Sequence, residues 1–600
     1  MSKKSKKELN GAEKIEWNLS DLYQSLDDPK LESDKKRVLE LSKQFNESYR
    51  GKVATLTPAE FREALESYEK IYKIIGRIGS YAYLYWSTAT NNPELGKNLQ
   101  ESNELGSEIS QNLVFFNVEW LKTDDQRVEE LIRSDELQPW RHHLEVSRLY
   151  ADHTLTEEAE KVMSAKSVTG RSAWNRFFDE TLGSAKFTFD GEELSEQEVL
   201  SKLHSEDREV REKAHQSLTA TFKSLSRELT FIFNTILADK YTNDKLRNYE
   251  SWISSRNLAN QTDNQTVDAL IEAVTDSYPA VQRYYKLKKR LLELDELKDY
   301  DRYAPITKST RTVNWSEARE MVLNAYSEFH PEMGRIAGEF FEKEWIDAAI
   351  KPGKRGGAYS ASTVTDVHPY VFMNYDGRLR EVQTLAHELG HGGHQDLSAS
   401  QGELQSSTPL TTAETASVFG EMLVFTRLMD SLDDPKERLA LLISKIDDTI
   451  ATVFRQVAMN RFEERIHTAR RSEGELSTER FSELWHETQS ALYGESVTLT
   501  EEYRQWWCYI PHFLHTPGYV YAYAFGELLV LALYDLYQKS DREEFARKYM
   551  DLLNAGGSDW PHKLIGKMGL DIKESGFWKN GLSLFEKMII EAEKLADSIE

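Results

Sequence analysis

The feature that most constrains this chain is a helical rhythm: apolar residues recur three and four positions apart through segment after segment, which is the pattern of amphipathic helices packed on one another. Little interrupts it, since only 14 prolines occur in 600 residues. Thr57-Pro58-Ala59-Glu60 shows how such a helix begins. Thr57 can cap, Pro58 suits the first helical position and Glu60 can close a capping box, so a helix is predicted from there toward Trp86. Similar starts stand at Thr156, at Ser205 and near Ser477. With 40% hydrophobic and 11% aromatic residues the chain can bury a sizeable core, and the expected fold class is mainly α.

Two short stretches depart from that rhythm. Lys186-Phe187-Thr188-Phe189 followed by Asp190-Gly191 alternates like a strand and ends in a hairpin-type turn. Pro369 to Tyr375, followed by Asp376-Gly377, is rich in β-formers and stops just before the most chemically loaded helix in the chain.

Composition removes several function classes. Lys plus Arg number 75 against 100 Asp plus Glu, a net charge of −25 that would repel a phosphate backbone, so nucleic acid is not an expected partner. Cys508 is the one cysteine, which excludes an intramolecular disulfide and a thiolate zinc cluster, so any metal must be held by His and carboxylate. Set in an aromatic run, Cys508 reads as a buried, inert thiol. The N-terminal run is basic but continues polar instead of apolar, unlike a secretory signal. The apolar run Phe525 to Tyr537 is interrupted by Glu527 and Asp535 and is too short to span a bilayer. The expectation is a cytoplasmic chain without a membrane anchor.

The chemistry lies in Arg378 to Asp396. His387-Glu388-Leu389-Gly390-His391 matches H-E-x-x-H, and two histidines four apart on a helix project from one face, where both can reach one metal ion. Glu388 points toward the metal's open side, where it can take a proton from water and later return it to the leaving amine. At this composition chance supplies such a spelling only about 0.06 times per chain. His394, one turn on, is expected near the metal or at the surface but not as a ligand, because catalytic zinc keeps three protein ligands and one open position. A metzincin would place Gly at 394 and His at 397, where this chain has His394 and Leu397. The third ligand should therefore be a carboxylate from another helix. Glu414, in the run Thr411 to Glu421, is the candidate, although Thr411-x-x-Glu414 also spells a capping box. Ser417 and Glu421 share its helix face, where they can hold the metal ligands by hydrogen bonds.

These words resemble the oligoendopeptidase F branch of the thimet oligopeptidase family: GGAY at 356 to 359, PYVFMNYDG at 369 to 377, TLAHELGHGGH at 384 to 394, AETASVFGEML at 413 to 423, and PHFLHTPGYVYAYAFGE at 511 to 527. The likeness is specific over this C-terminal part and weaker in the N-terminal third. It implies a mainly helical, clam-like zinc metallopeptidase with a small β element beside the active-site helix and a deep central channel that admits short peptides. Carried over by position, His387, His391 and Glu414 are the ligands of one zinc ion per chain and Glu388 is the general base. His512, Tyr519 and Tyr523 are the implied oxyanion donors, with Tyr521 competing with Tyr519 for one role.

Donors aimed at a developing oxyanion stabilise charge that the substrate carbonyl lacks, which is the reason such residues would matter. The segment 369 to 375, with Tyr370 and Phe372, is expected to offer an extended edge for a peptide backbone, and Gly356 and Gly357 to let another main-chain segment approach. A change of pattern near residue 200 suggests an N-terminal helical domain over 1–200 and a catalytic domain over 201–600. The function expected is zinc-dependent hydrolysis of internal bonds in short oligopeptides. An exopeptidase of the same chemistry and a non-catalytic helical binding protein are the alternatives.

Overall fold

Local capping chemistry puts the helices where the rhythm predicts them. In the computed structural model, which describes residues 10–306 and 312–599, the helix Pro58–Ser87 starts with a complete capping box. The Thr57 side chain accepts from Glu60 N at 3.3 Å and Glu60 accepts from Thr57 N at 2.8 Å. Thr156 and Ser477 likewise cap Glu157–Ser167 and Thr478–Tyr493. The start expected at Ser205 lies slightly further on: Asp207 caps the helix Arg208–Ser224, and Ser205 Oγ accepts from Asp207 N instead. A carboxylate is as good a cap as a hydroxyl, and here it stands next to the helix.

The described residues fall into two compact units, each assembled from separated segments. The first draws on Met1–Ala151, Thr310–Asp430 and Leu536–Leu570, the second on Asp152–Ser309, Ser431–Asp535 and Asp571–Glu600.

In the first unit, Pro29–Tyr49, Pro58–Ser87 and Pro93–Lys122 pack on one another through aromatic pairs such as Phe61 with Trp120, ring centres 5.4 Å apart. The helix pair Trp315–Phe329 and Pro331–Glu342 leads into a three-stranded sheet. Numbering strands along the chain, the hairpin of the second unit supplies β1 (Phe187–Phe189) and β2 (Glu192–Leu194), while the sheet comprises β3 (Ile346–Asp347), β4 (Tyr359–Ala361) and β5 (Tyr370–Phe372). Its order is β3-β5-β4, with β5 parallel to β3 and antiparallel to β4. Lys354, 1% exposed at its side chain, donates to Asp347 Oδ1 at 2.5 Å and to the carbonyls of Ala349 and Met373 at 2.8 and 2.7 Å. This buried, fully engaged ion pair fixes the connection between β3 and β4 against the sheet.

In the second unit the predicted hairpin forms, with Asp190 and Gly191 at φ 49° and 86°, the left-handed pair that a tight hairpin turn requires. Its core gathers Phe233, Phe462, Trp485, Trp507 and Phe513. Cys508 is fully buried among them, and burial pushes its thiol pKa up, which keeps it an inert thiol. Among the described residues no helix is long and apolar enough to cross a membrane.

Candidate metal centre and active site

The helix Leu379–Ser398 follows the Asp376-Gly377 turn, where Gly377 takes a φ of 92° that disfavours other residues. It buries Val382, Leu385, Ala386 and Leu389, which leaves His387 and His391 together on another face. Their Nε2 atoms stand 3.1 Å apart. Glu414 comes from the bend between the helices Leu410–Ala413 and Thr415–Ser431, with its Oε2 3.4 Å from each of those nitrogens. The capping-box alternative for Glu414 falls away, because Thr411 lies inside a helix whose N-cap is Pro409.

The close approach of the two helices depends on Gly390. A Cβ there would stand 2.5 Å from Ala416 O and 2.7 Å from Ser417 Cα, so the helix bearing Glu414 could not lie where it does against a larger residue. Gly392 does the same for Phe340, whose Cζ would stand 2.5 Å from a Cβ. Tyr326 donates its hydroxyl proton to Ala386 O, which ties the neighbouring helix to the backbone one residue before His387.

Around the three donor atoms the predicted supports are in reach. Glu421 Oε1 lies 2.6 Å from His387 Nδ1, which places that proton on Nδ1 and leaves the Nε2 lone pair for a cation. Ser417 Oγ donates to Glu414 Oε2 at 2.6 Å. Burial opposes charge on His387, but the Glu421 hydrogen bond and the charges of Glu421, Glu414 and Glu388 outweigh it and hold the pKa up to about 9. Burial acts against the Glu414 carboxylate too, yet the His391 hydrogen bond and the two imidazoles bring it down to about 2. For Glu388 burial dominates and raises the pKa. Glu388 is 6% exposed, and its Oε2 has no hydrogen-bond partner.

A divalent cation fits this donor set. Bonds of about 2.05 Å in a tetrahedron require ligand atoms about 3.3 Å apart, and the observed separations are 3.1, 3.4 and 3.4 Å. Three carboxylates crowd two imidazoles, so the surplus charge is negative. His394 lies outside the cluster: it is buried, and desolvation lowers its pKa to about 4, so its ring is neutral.

A cavity of about 460 Å³ opens beside the cluster, lined by Tyr359, Ser360, His387, Glu388, His391 and Gln395. Its β wall differs from expectation. Tyr370 and Phe372 belong to the central strand β5 and are wholly buried, with both ladder edges taken by β3 and β4. Tyr370 donates to Asn18 O at 3.0 Å, and the Phe372 ring stacks on Tyr359 at 4.8 Å. They are core residues, and the edge beside the cavity is β4. Ser360 Oγ donates to Gln395 Oε1 at 2.8 Å, which links that edge to the site helix. Gly356 and Gly357 are exposed, with open space where a Cβ would be, and Gly357 has a φ of 83°. Gly357 O accepts from Asn374 Nδ2 at 3.0 Å.

The second unit brings His512, Tyr519 and Tyr523 together. His512 Nε2 lies 3.3 Å from Tyr523 OH, and the Tyr519 and Tyr523 rings are 4.9 Å apart. Tyr521 points elsewhere. It is fully buried, donates to Asn257 Oδ1 at 2.7 Å and accepts from Asn260 Nδ2 at 2.9 Å, so its hydroxyl is committed to the core.

The chain matches two known family models. The model of peptidase family M3 matches residues 201–584, and that of oligopeptidase F matches 119–187. The chain belongs to peptidase family M3. Membership in M3 makes it a metallopeptidase, with the H-E-x-x-H helix and Glu414 inside the matched span. It is 28% identical to oligopeptidase PepF of Bacillus subtilis over 96% of this chain and 87% of that one. It is 31% identical to the chromosomal oligoendopeptidase F of Lactococcus lactis subsp. cremoris over 69% of each chain. Its fold is similar to the crystal structure of oligoendopeptidase-F from Enterococcus faecium, with a TM-score of 0.72 and 24% identity over 95% of this chain and 99% of that one. Within the M3 frame, sequence reasoning missed Gly390, β4 and Gln395. Gly390 carried a readable signal, since glycine in a helix interior costs about 1 kcal/mol against alanine and wants a packing reason.

Proposed function

We propose that this chain is a zinc-dependent endopeptidase that hydrolyses internal bonds of short oligopeptides in the cytoplasm. The observation that carries the reading is the buried, unpartnered Glu388 Oε2 beside three donor atoms at tetrahedral spacing. Held by His387, His391 and Glu414, one zinc ion would supply a Lewis acid that polarises the scissile carbonyl and acidifies water; availability and the His-His-Glu donor set favour zinc over cobalt or manganese. Glu388 takes the proton from the attacking water and passes it to the leaving amine. Glu421 keeps the His387 ring in one tautomer, and Ser417 fixes the orientation of the Glu414 carboxylate. The free edge of β4 pairs with the substrate backbone, which gives affinity with little demand on sequence. Gly356 and Gly357 leave room for that backbone.

His512, Tyr519 and Tyr523 are proposed as donors to the oxyanion, on the family likeness and their mutual proximity. Tyr523→Phe should then lower kcat by about 100-fold, whereas Tyr521→Phe should chiefly lower the melting temperature. Equal kcat for Tyr523→Phe and the parent enzyme would remove Tyr523 from the reaction. The start of the M3 match at residue 201 supports 201–600 as the catalytic part after an N-terminal domain over 1–200, although the compact units do not divide near residue 200, since Met1–Ala151 belongs to the same unit as the metal centre.

Endopeptidase and exopeptidase readings separate on one substrate. A decapeptide blocked at both ends should be cut at an internal bond into two fragments, each retaining one blocked end, as read by mass spectrometry. Failure to cut it, alongside trimming of the unblocked peptide from one end, favours an exopeptidase. Inertness toward both peptides in zinc-loaded protein leaves the binding-protein reading.

A further inference from the structure

In the second unit the helix Pro435–Thr449 runs into Arg455–Glu473 through a widened turn, Ile450–Phe454. Turns of this kind gather at functional sites. Beside it lies a cavity of about 20 Å³, room for one occupant of about the size of a water molecule. Arg302 and Arg455 line it, together with Tyr285, Tyr303, Tyr493 and Asp447.

The charges around this cavity do not balance. Arg302 is 4% exposed; its Nε donates to Asp299 O at 2.7 Å and its Nη1 to Tyr493 OH. Arg455 donates to Tyr303 OH and, at 3.4 Å, to Tyr509 OH, and its enclosed Nε has no acceptor. Those acceptors are a main-chain carbonyl and phenol oxygens, not carboxylates, and against burial the Arg455 and Arg302 guanidiniums lower the Tyr303 pKa. Asp447 is the one acid lining the cavity, and both of its oxygens are engaged. Tyr284 donates to Oδ1 at 2.6 Å, and the buried Lys288 ammonium donates to Oδ2 at 2.7 Å. The nearby Asp299 carboxylate does not line the cavity: its Oδ1 accepts from Thr500 N at 2.9 Å, and its Oδ2 lies 2.7 Å from His215 Nε2. Two permanently charged guanidiniums therefore line one small cavity whose single carboxylate, Asp447, is already shared with Lys288, and largely buried charge that is incompletely compensated is costly.

We propose that this cavity binds a monovalent inorganic anion, with chloride the occupant of fitting charge and size. Guanidinium N–H groups and phenol O–H groups, all able to donate, would form its shell. Through Arg455 and Tyr509 the anion also braces the segment that leads to His512.

The test compares thermal unfolding of the metal-loaded enzyme in sodium chloride and in sodium gluconate at one pH and equal ionic strength. Chloride at about 150 mM should raise the melting temperature by about 2 °C along a saturating curve, as expected of a ligand bound only to the folded state. Arg455→Gln should abolish the difference between the salts, and Tyr303→Phe should reduce it. Crystals soaked in bromide should give an anomalous peak between Arg302 and Arg455. No chloride-specific shift, an equal shift in Arg455→Gln, or a water without bromide in the cavity overturns the proposal. Should Arg455→Gln fail to fold, Tyr303→Phe and the bromide peak decide.

Discussion

Glu388→Gln should retain its metal and lose about 1,000-fold in turnover, within the range expected when a positioned general base is removed. The amide copies the carboxylate in shape but cannot accept the proton that water must give up. It is not among the three donors, so elemental analysis should find the same metal content as in the parent enzyme. Folding should not suffer. Burial already disfavours the Glu388 carboxylate, and its Oε2 lacks a partner, so an uncharged side chain there should leave the melting temperature equal or slightly higher. An internally quenched peptide reports the rate. Cleavage by Glu388→Gln at the parental rate would take Glu388 out of the chemistry, whereas loss of both rate and metal would make it a structural support of the site.

Glu414→Gln should fail at an earlier step, by losing the metal. The amide can keep its hydrogen bond from Ser417 and so preserve the local fold, but it gives up the negative charge that brings this side chain to the two imidazoles. Loss of a residue that only orients a ligand typically costs 10- to 100-fold in metal affinity, and loss of a ligand should cost at least about 100-fold. Competition against a chelator measures this directly. Glu421→Gln supplies the contrast, with affinity falling within that smaller range and kcat recovering once zinc saturates the site. If Glu414→Gln holds zinc as tightly as the parent enzyme, the third ligand has been misassigned.

What could be read from the sequence was mostly what is local. Capping boxes and apolar spacing predict Pro58–Ser87 because every interaction that starts that helix lies within a few residues. His387 and His391 are legible for the same reason, four apart on one helix. Glu414 lies 23 positions beyond His391; its helix-cap reading falls once the helix is seen to start at Leu410, and its ligand reading needs the tertiary approach to His387 and His391. Strand order was harder. Tyr370-Val371-Phe372-Met373 is an unbroken apolar run, the signature of a strand covered on both faces, yet which strands flank it depends on β3 and β4, neither longer than three residues. Tyr519, Tyr521 and Tyr523 look equivalent in sequence. What separates them is Asn257 and Asn260, more than 250 positions away along the chain, which claim Tyr521 alone.

Gly390 gives the two unnamed letters of H-E-x-x-H different weights in this chain. Leu389 contributes ordinary core packing, and another apolar residue of its size could replace it. Position 390 contributes a gap, and the width of that gap sets how far a carboxylate on the next helix must reach. A methyl group there would act as a wedge, parting the site without altering any atom that meets the metal or the substrate.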